Sequence, residues 1–242
     1  MTPQTGQVRI GTSGYQHDHW SEVFYPEELS KDDWFGYYAE RFDTVEINNT
    51  FYGLPAVAVF EEWAERAPEG FCYALKFSRY GTHRKHLKDP EDTIDLFVRR
   101  ARRLGPMLGP ILVQLRPNWH VNAERLAGFL RAAPSDLRWA LEFRDPTWLC
   151  DEVFDLLRKH NAALCIHDML EDHPREVTTD WVYLRYHGAD TWEDYPHQAL
   201  SAEAQRIQDY RDDGLDVYAY FNNDAEGYAV SNAQDLRRYV EG

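Results

Sequence analysis

Lysine is scarce in this chain, with 5 residues against 21 arginines. Cysteine is scarcer. Cys72, Cys150 and Cys165 are an odd number with no pair at ligand spacing, which excludes a disulfide framework and a zinc knuckle. Cys72 and Cys165 sit in strand-like runs, where a thiol serves as a small core residue. No apolar run is long enough to span a bilayer, and Met1 to Gln7 holds no basic segment followed by an apolar stretch. A cytoplasmic protein is expected, with no membrane contact and no obligate protein partner. Neither a phosphate-binding Gly-Lys-Ser loop nor a Ser-His-Asp order is present. Gly11-Thr12-Ser13-Gly14 follows the first strand but lacks the third glycine and the immediate helix of a dinucleotide turn. Net positive charge is missing too: the balance is -15 and the pI is near 5.0. Phosphates are repelled at long range by such a surface, so non-specific nucleic-acid binding is disfavoured, although a local basic pocket stays compatible with it. Many acids and few lysines fit a GC-rich or salt-adapted source.

What is present is periodicity. The 242 residues suit one large α/β domain or two small ones, and no linker, repeat or low-complexity run divides them. One domain over 1–242 is expected. Strand patterns occupy about residues 7–12, 43–48, 71–77, 110–115, 138–143, 163–167, 180–187 and 215–222. Helical spacing fills most gaps: 30–42, 56–67, 91–104, 122–132, 151–160, and more weakly 201–213 and 232–240. Eight strands alternating with helices predict a parallel sheet, and eight is the number that closes a (β/α)8 TIM-type barrel. A doubly wound open sheet is the alternative. Segment 168–179 is short, acidic and contains Pro174, so the helix after strand six is expected to be missing or reduced to a turn.

Six strands end alike, in an apolar run whose alternate positions turn polar. They are Val45-Glu46-Ile47-Asn48, Ala74-Leu75-Lys76-Phe77, Leu112-Val113-Gln114-Leu115, Leu141-Glu142-Phe143-Arg144, Leu184-Arg185-Tyr186-His187 and Tyr220-Phe221-Asn222-Asn223. Side chains alternate faces along a strand, so each polar set shares one face. Val45, Ile47, Leu75, Phe77, Val113, Leu115, Leu141, Phe143, Leu184 and Tyr186 are predicted to face the helices. Glu46, Asn48, Lys76, Ser78, Gln114, Glu142, Arg144, Arg185, His187 and Asn222 are predicted to point into the barrel or its rim, at the end where this architecture carries its sites. A plain ion-pair plug is the competing reading. It is a costly way to fill a barrel, because each buried charge needs a partner.

Lys76, Arg144 and Arg185 would make a positive mouth in a negative protein, suited to a phosphate or carboxylate group. Glu46 and Glu142 are candidates for general acid and base, and equally for partners that hold the cations. Lys76 is a candidate nucleophile or Schiff-base lysine as well as a charge partner. His187, Asn48, Gln114, Asn222 and Tyr52 are assigned to substrate binding. No cofactor is predicted; a divalent metal held by His167 or Asp168 with His187, Glu46 and Glu142 is the weaker alternative, since the cations compete for the carboxylates. His83, His86 and His160 lack a motif. Loop aromatics Tyr15, His17, His19, Trp20, Phe24, Tyr25, Tyr52, Trp119, Trp148, Trp192 and Tyr195 can stack on a base or ring, or merely pack over the helices.

At these residues the chain resembles the domain of unknown function 72 family. The resemblance rests on Ile10-Gly11-Thr12-Ser13-Gly14-Tyr15, Phe24-Tyr25-Pro26 and Val45-Glu46-Ile47-Asn48-Asn49-Thr50-Phe51-Tyr52. It continues through Lys76-Phe77-Ser78, Thr82-His83, Gln114-Leu115, Glu142-Phe143-Arg144, Arg185-Tyr186-His187-Gly188 and Phe221-Asn222-Asn223-Asp224. It spans nearly the whole chain and implies a TIM-barrel-like fold without an established reaction. Tyr15 stands where the family commonly has Trp, and Arg116 where a proline is common before Pro117. The leading expectation is an enzyme acting on a small or extended anionic substrate at the barrel mouth. A metal-dependent phosphodiesterase or nuclease, and a non-catalytic barrel that binds an anion or a nucleic-acid fragment, are the alternatives.

Overall fold

Period-two alternation emerges as eight parallel strands: β1 (Val8–Thr12), β2 (Thr44–Ile47), β3 (Cys72–Lys76), β4 (Leu108–Gln114), β5 (Trp139–Glu142), β6 (Ala163–His167), β7 (Trp181–Tyr186) and β8 (Asp216–Phe221). The computed structural model describes residues 5–188 and 194–242. The strands follow one another around a nearly closed barrel, β1-β8-β7-β6-β5-β4-β3-β2. The helices are α1 (Trp34–Ala39), α2 (Asn49–Tyr52), α3 (Val57–Arg66), α4 (Glu91–Ala101), α5 (Ala123–Ala132), α6 (Asp151–Lys159), α7 (His197–Asp212) and α8 (Tyr228–Glu241). No helix lies between β6 and β7, as the acidic, proline-bearing segment predicts. No helix among the described residues is long and apolar enough to cross a membrane.

Local chemistry sets the helix ends. Glu91 and Asp92 open α4 and Arg99 and Arg100 close it, matching the helix dipole at both termini. Asn122 caps α5 by accepting the Arg125 amide at 3.0 Å. Two helices start earlier than their apolar spacing suggests. α7 begins directly after Pro196, with Leu200 buried in its first turns. α8 begins after Gly227, whose φ of 82° only glycine adopts freely. In 30–42 only Trp34–Ala39 is α-helical, preceded by a 3-10 turn at Lys31–Asp33.

Two separate apolar layers result. The ten residues predicted to face the helices, from Val45 to Tyr186, all lie in the outer core between barrel and helices. The barrel interior is filled by Cys72, Ala74, Leu112, Ala140, Ala163, Cys165, Trp181, Tyr183, Tyr218 and Tyr220. Large tyrosines from β7 and β8 oppose small residues from β3, β5 and β6, so the interior is filled without a pore.

The barrel closes between its first and second strands by a single bridge, Ser13 to Glu46, in which the Gly14 amide donates to the Glu46 carbonyl at 2.8 Å. Beside that seam Gly11 lets the strands approach: a Cβ there would sit 2.4 Å from the Thr44 carbonyl oxygen. Gly11→Ala is therefore expected to destabilise the fold by about 2 kcal/mol, the cost of overpacking against backbone. An unchanged urea midpoint in that variant would show that the seam can spread.

Candidate functional site at the barrel mouth

Five strand ends deliver their polar groups into one buried layer. Arg185, 1 % exposed, lies between Glu46 and Glu142, both fully buried. Its Nη2 donates to Glu46 Oε1 at 2.7 Å and its Nη1 to Glu142 Oε2 at 2.6 Å. Glu46 also accepts from Ser13 Oγ at 2.7 Å and from the Tyr183 hydroxyl at 2.6 Å. Glu142 Oε1 accepts from Arg144 Nε. All four carboxylate oxygens thus have donors, which is what charges in a low-dielectric interior require. Burial by itself raises the Glu142 carboxyl; Arg144 and Arg185 outweigh it and hold the group well below the ordinary carboxylate range.

His187 packs above this layer. Its Nε2 faces Arg144 Nη2 at 3.1 Å and Arg185 Nη1 at 3.3 Å, so that nitrogen accepts, and Nδ1 lies 3.2 Å from the Asn222 amide. Burial and then Arg185 hold this imidazole neutral, far below its usual value. Asn222 Oδ1 reaches Arg185 Nη2 at 3.4 Å. Glu46, Glu142, Arg144, Arg185, His187 and Asn222 are thus one connected network. Serine 13 and Tyr183 belong to it too. Neither is among the residues predicted for the site, although Tyr183 shares the parity of Arg185 and Ser13 directly follows β1, signals that could have found them.

Lys76 stands apart within the same mouth. It is 9 % exposed, and its amine lies 4.6 Å from the centre of the Phe51 ring. Among the described residues its amine makes no hydrogen bond and no ion pair. Burial, then Arg185, push its amine down to about 8. His83, which is not among the residues assigned to the site, packs edge-on against Phe51 at 5.1 Å. Burial and then Lys76 lower its imidazole to about 4. Arg144 is 13 % exposed, so Lys76 and Arg144 both keep some access to solvent.

The remaining candidates line the rim. Asn48, Asn222 and Tyr52 border a cavity that runs under the loop after β1, together with Tyr15, His17 and Asp224. Asn48 Oδ1 is buried there without a hydrogen-bond partner, and Tyr52 is 73 % exposed. Lys76 and Arg144 lie outside that lining. Gln114 pairs in register with Glu142 and is half-buried. A second cavity, bordered by Leu170, His173, Arg175, Tyr186 and Glu203, lies outside the barrel where the helix after β6 is missing.

The donor set for a metal between His167, His187 and the glutamates is spent on other partners. His167 Nε2 donates to the Phe143 carbonyl at 2.8 Å, and Nδ1 accepts from the Met169 amide at 3.2 Å. Asp168 accepts from the His187 amide at 2.9 Å and from the Tyr195 hydroxyl. Of the loop aromatics, Trp20, Tyr25 and Trp148 are buried packing residues, and Trp192 lies outside the described residues.

A family model described as protein of unknown function DUF72 matches residues 9–242, and the chain belongs to that family. It is similar to the UPF0759 protein YunF of Bacillus subtilis (strain 168), 23 % identical over 271 residues, with 97 % of this chain and 95 % of that protein covered. Among solved structures it is similar to a DUF72 family protein from Thermotoga maritima MSB8, with a TM-score of 0.83, 26 % identity, and 98 % and 100 % of the two chains covered. A DUF72 family protein from Enterococcus faecalis V583 shares the fold at a TM-score of 0.84 with 19 % identity, over 98 % of this chain and 96 % of that one.

Proposed function

We propose that this DUF72 chain is an enzyme that binds an anionic, phosphate- or carboxylate-bearing substrate at the barrel mouth, with Lys76 and Arg144 as its anion contacts. One observation carries the reading. In the mouth layer two glutamates are matched by two arginines, so those four charges cancel. Lys76 is a surplus positive charge in that layer, and among the described residues no carboxylate pairs with its amine. An anion from outside supplies the missing counter-charge.

Within this reading the glutamates fix the guanidinium groups, and Lys76 is the group whose proton is mobile near neutral pH. Its neutral fraction can act as base or as amine nucleophile toward a carbonyl. The free thiols Cys72, Cys150 and Cys165 fit a reducing, cytoplasmic setting. A binding protein without turnover is the second reading. What favours it is that both glutamates already spend all their oxygens on donors.

Calorimetric titration with inorganic phosphate and with a small dicarboxylate tests the anion site. Lys76→Met and Arg144→Met are each expected to weaken binding about tenfold or more, as loss of a charge-assisted contact implies. Lys159→Met, on the exposed face of α6, should leave it unchanged. Equal affinity in all three variants would remove the proposal. Turnover across a panel of phosphorylated and carboxylated compounds then separates enzyme from binder.

A further inference from the structure

We propose that His17, His19 and Asp224 form a binding site for one divalent transition-metal ion on the lip of the barrel. The site is independent of the anion reading and of the buried charge layer. One donor atom from each residue lies within 4.8 Å of the other two. His17 Nδ1 is 2.9 Å from Asp224 Oδ2; His19 Nε2, 3.9 Å from the same oxygen, donates to the Asp224 carbonyl at 2.5 Å, a contact that a metal ion at that nitrogen would replace.

The hydrogen-bond geometry of His17 gives the cluster its direction. Its Nε2 lies 3.3 Å from the Ser13 carbonyl oxygen, an acceptor, so Nε2 carries the N–H. In the neutral ring the lone pair then sits on Nδ1, facing a carboxylate oxygen at 2.9 Å. Two acceptors at that distance need a cation between them, either a proton or a metal ion. A backbone carbonyl behind a ligating imidazole is the usual outer-shell arrangement that fixes its tautomer.

Asp224 also differs from the other mouth carboxylates. Glu46 and Glu142 are each paired with arginine, whereas the ion pairs of Asp224 among the described residues are with the two histidines alone. Among the described residues no guanidinium or ammonium group pairs with Asp224. The imidazoles are held rather than free: both contact the ring of Trp20, which is fully buried, at 4.6 and 6.4 Å between centroids. The carboxylate comes from the loop after β8, and the histidines come from the loop after β1. The pairing of β1 with β8 sets the two loops side by side.

Two imidazoles and one carboxylate are a donor set for zinc, manganese, iron, cobalt or nickel rather than for magnesium or calcium. Three protein ligands leave coordination positions open. Since His17 and Asp224 also border the rim cavity with Asn48 and Asn222, those positions give onto it.

The test uses the full chain, stripped with a chelator and titrated with zinc and with cobalt(II) in a buffer free of phosphate. One ion per chain is expected, with a cobalt absorption band in the visible range and a rise in melting temperature. His19→Ala and Asp224→Asn are each expected to weaken the affinity at least about tenfold, the loss that even an outer-shell partner causes. His19 is 45 % exposed, so its removal leaves the fold intact. His197→Ala, at the exposed pair with Asp235, should bind metal like the native chain. Binding below one ion per chain, or binding equally strong in Asp224→Asn, would overturn the assignment.

Discussion

Arg185→Met is expected to lose about 3–5 kcal/mol of stability, the cost of leaving a buried charge without its partner. For a chain of this length that lowers the melting temperature by roughly 10 °C. The reason is geometric. Arg185 is the single cation that touches both Glu46 and Glu142, and both glutamates are fully buried. Without it Glu46 keeps only the Ser13 and Tyr183 hydroxyls. Arg185→Lys should recover little, because its donors all sit on one nitrogen, whereas Arg185 reaches the two carboxylates with two separate nitrogens of a planar fork. Adding Glu46→Gln to Arg185→Met should return part of the loss by removing the stranded charge. A urea midpoint in Arg185→Met equal to that of the native chain would mean that the layer does not depend on this bridge.

The same layer sets the acid limit of the fold. Glu142 has its folded value held well below that of the unfolded chain. Its contribution is therefore fully present above the unfolded carboxylate value and is lost as pH falls through the folded one. Urea midpoints measured down the acid range should fall in the native chain, and Glu142→Gln should flatten that decline while lowering stability near neutrality.

How much of this was legible in the sequence depends on range. Parity is a local property, and it sorted ten outward residues correctly because a strand has no other way to place its side chains. The strand count and the missing helix after β6 were legible for the same reason: alternation, length and Pro174 are local signals. Partner choice was not. Glu46 meets Tyr183 and Arg185, which are 137 and 139 positions away, only because the sheet curls until β2 and β7 face each other across the interior. The lip cluster joins His17 to Asp224 through closure of the barrel at β1 and β8, which no window along the chain reports. The roles of the glutamates stood undecided between chemistry and support, since an acid-base pair and a pair of cation holders look alike until each oxygen has a named donor.

Lys76→Met is expected to be more stable than the native chain near pH 7, by about 1–3 kcal/mol. The native lysine carries a charge into a site where burial and Arg185 oppose it. A basic group whose folded value is depressed to about 8 binds fewer protons in the folded chain than in the unfolded one between that value and its ordinary one. The penalty is thus complete below about 8 and is relieved as pH rises toward the unfolded value. The stability gap between variant and native chain should shrink over that window, and a gap that stays constant would show that the lysine is already neutral or already paired. An anion should narrow that gap. At a phosphate concentration about 100 times its dissociation constant the native chain gains about 2.7 kcal/mol, while Lys76→Met, lacking the contact, gains less. A residue that costs the empty protein stability and regains part of it when an anion binds is placed for a ligand, since a plug would be better built with methionine.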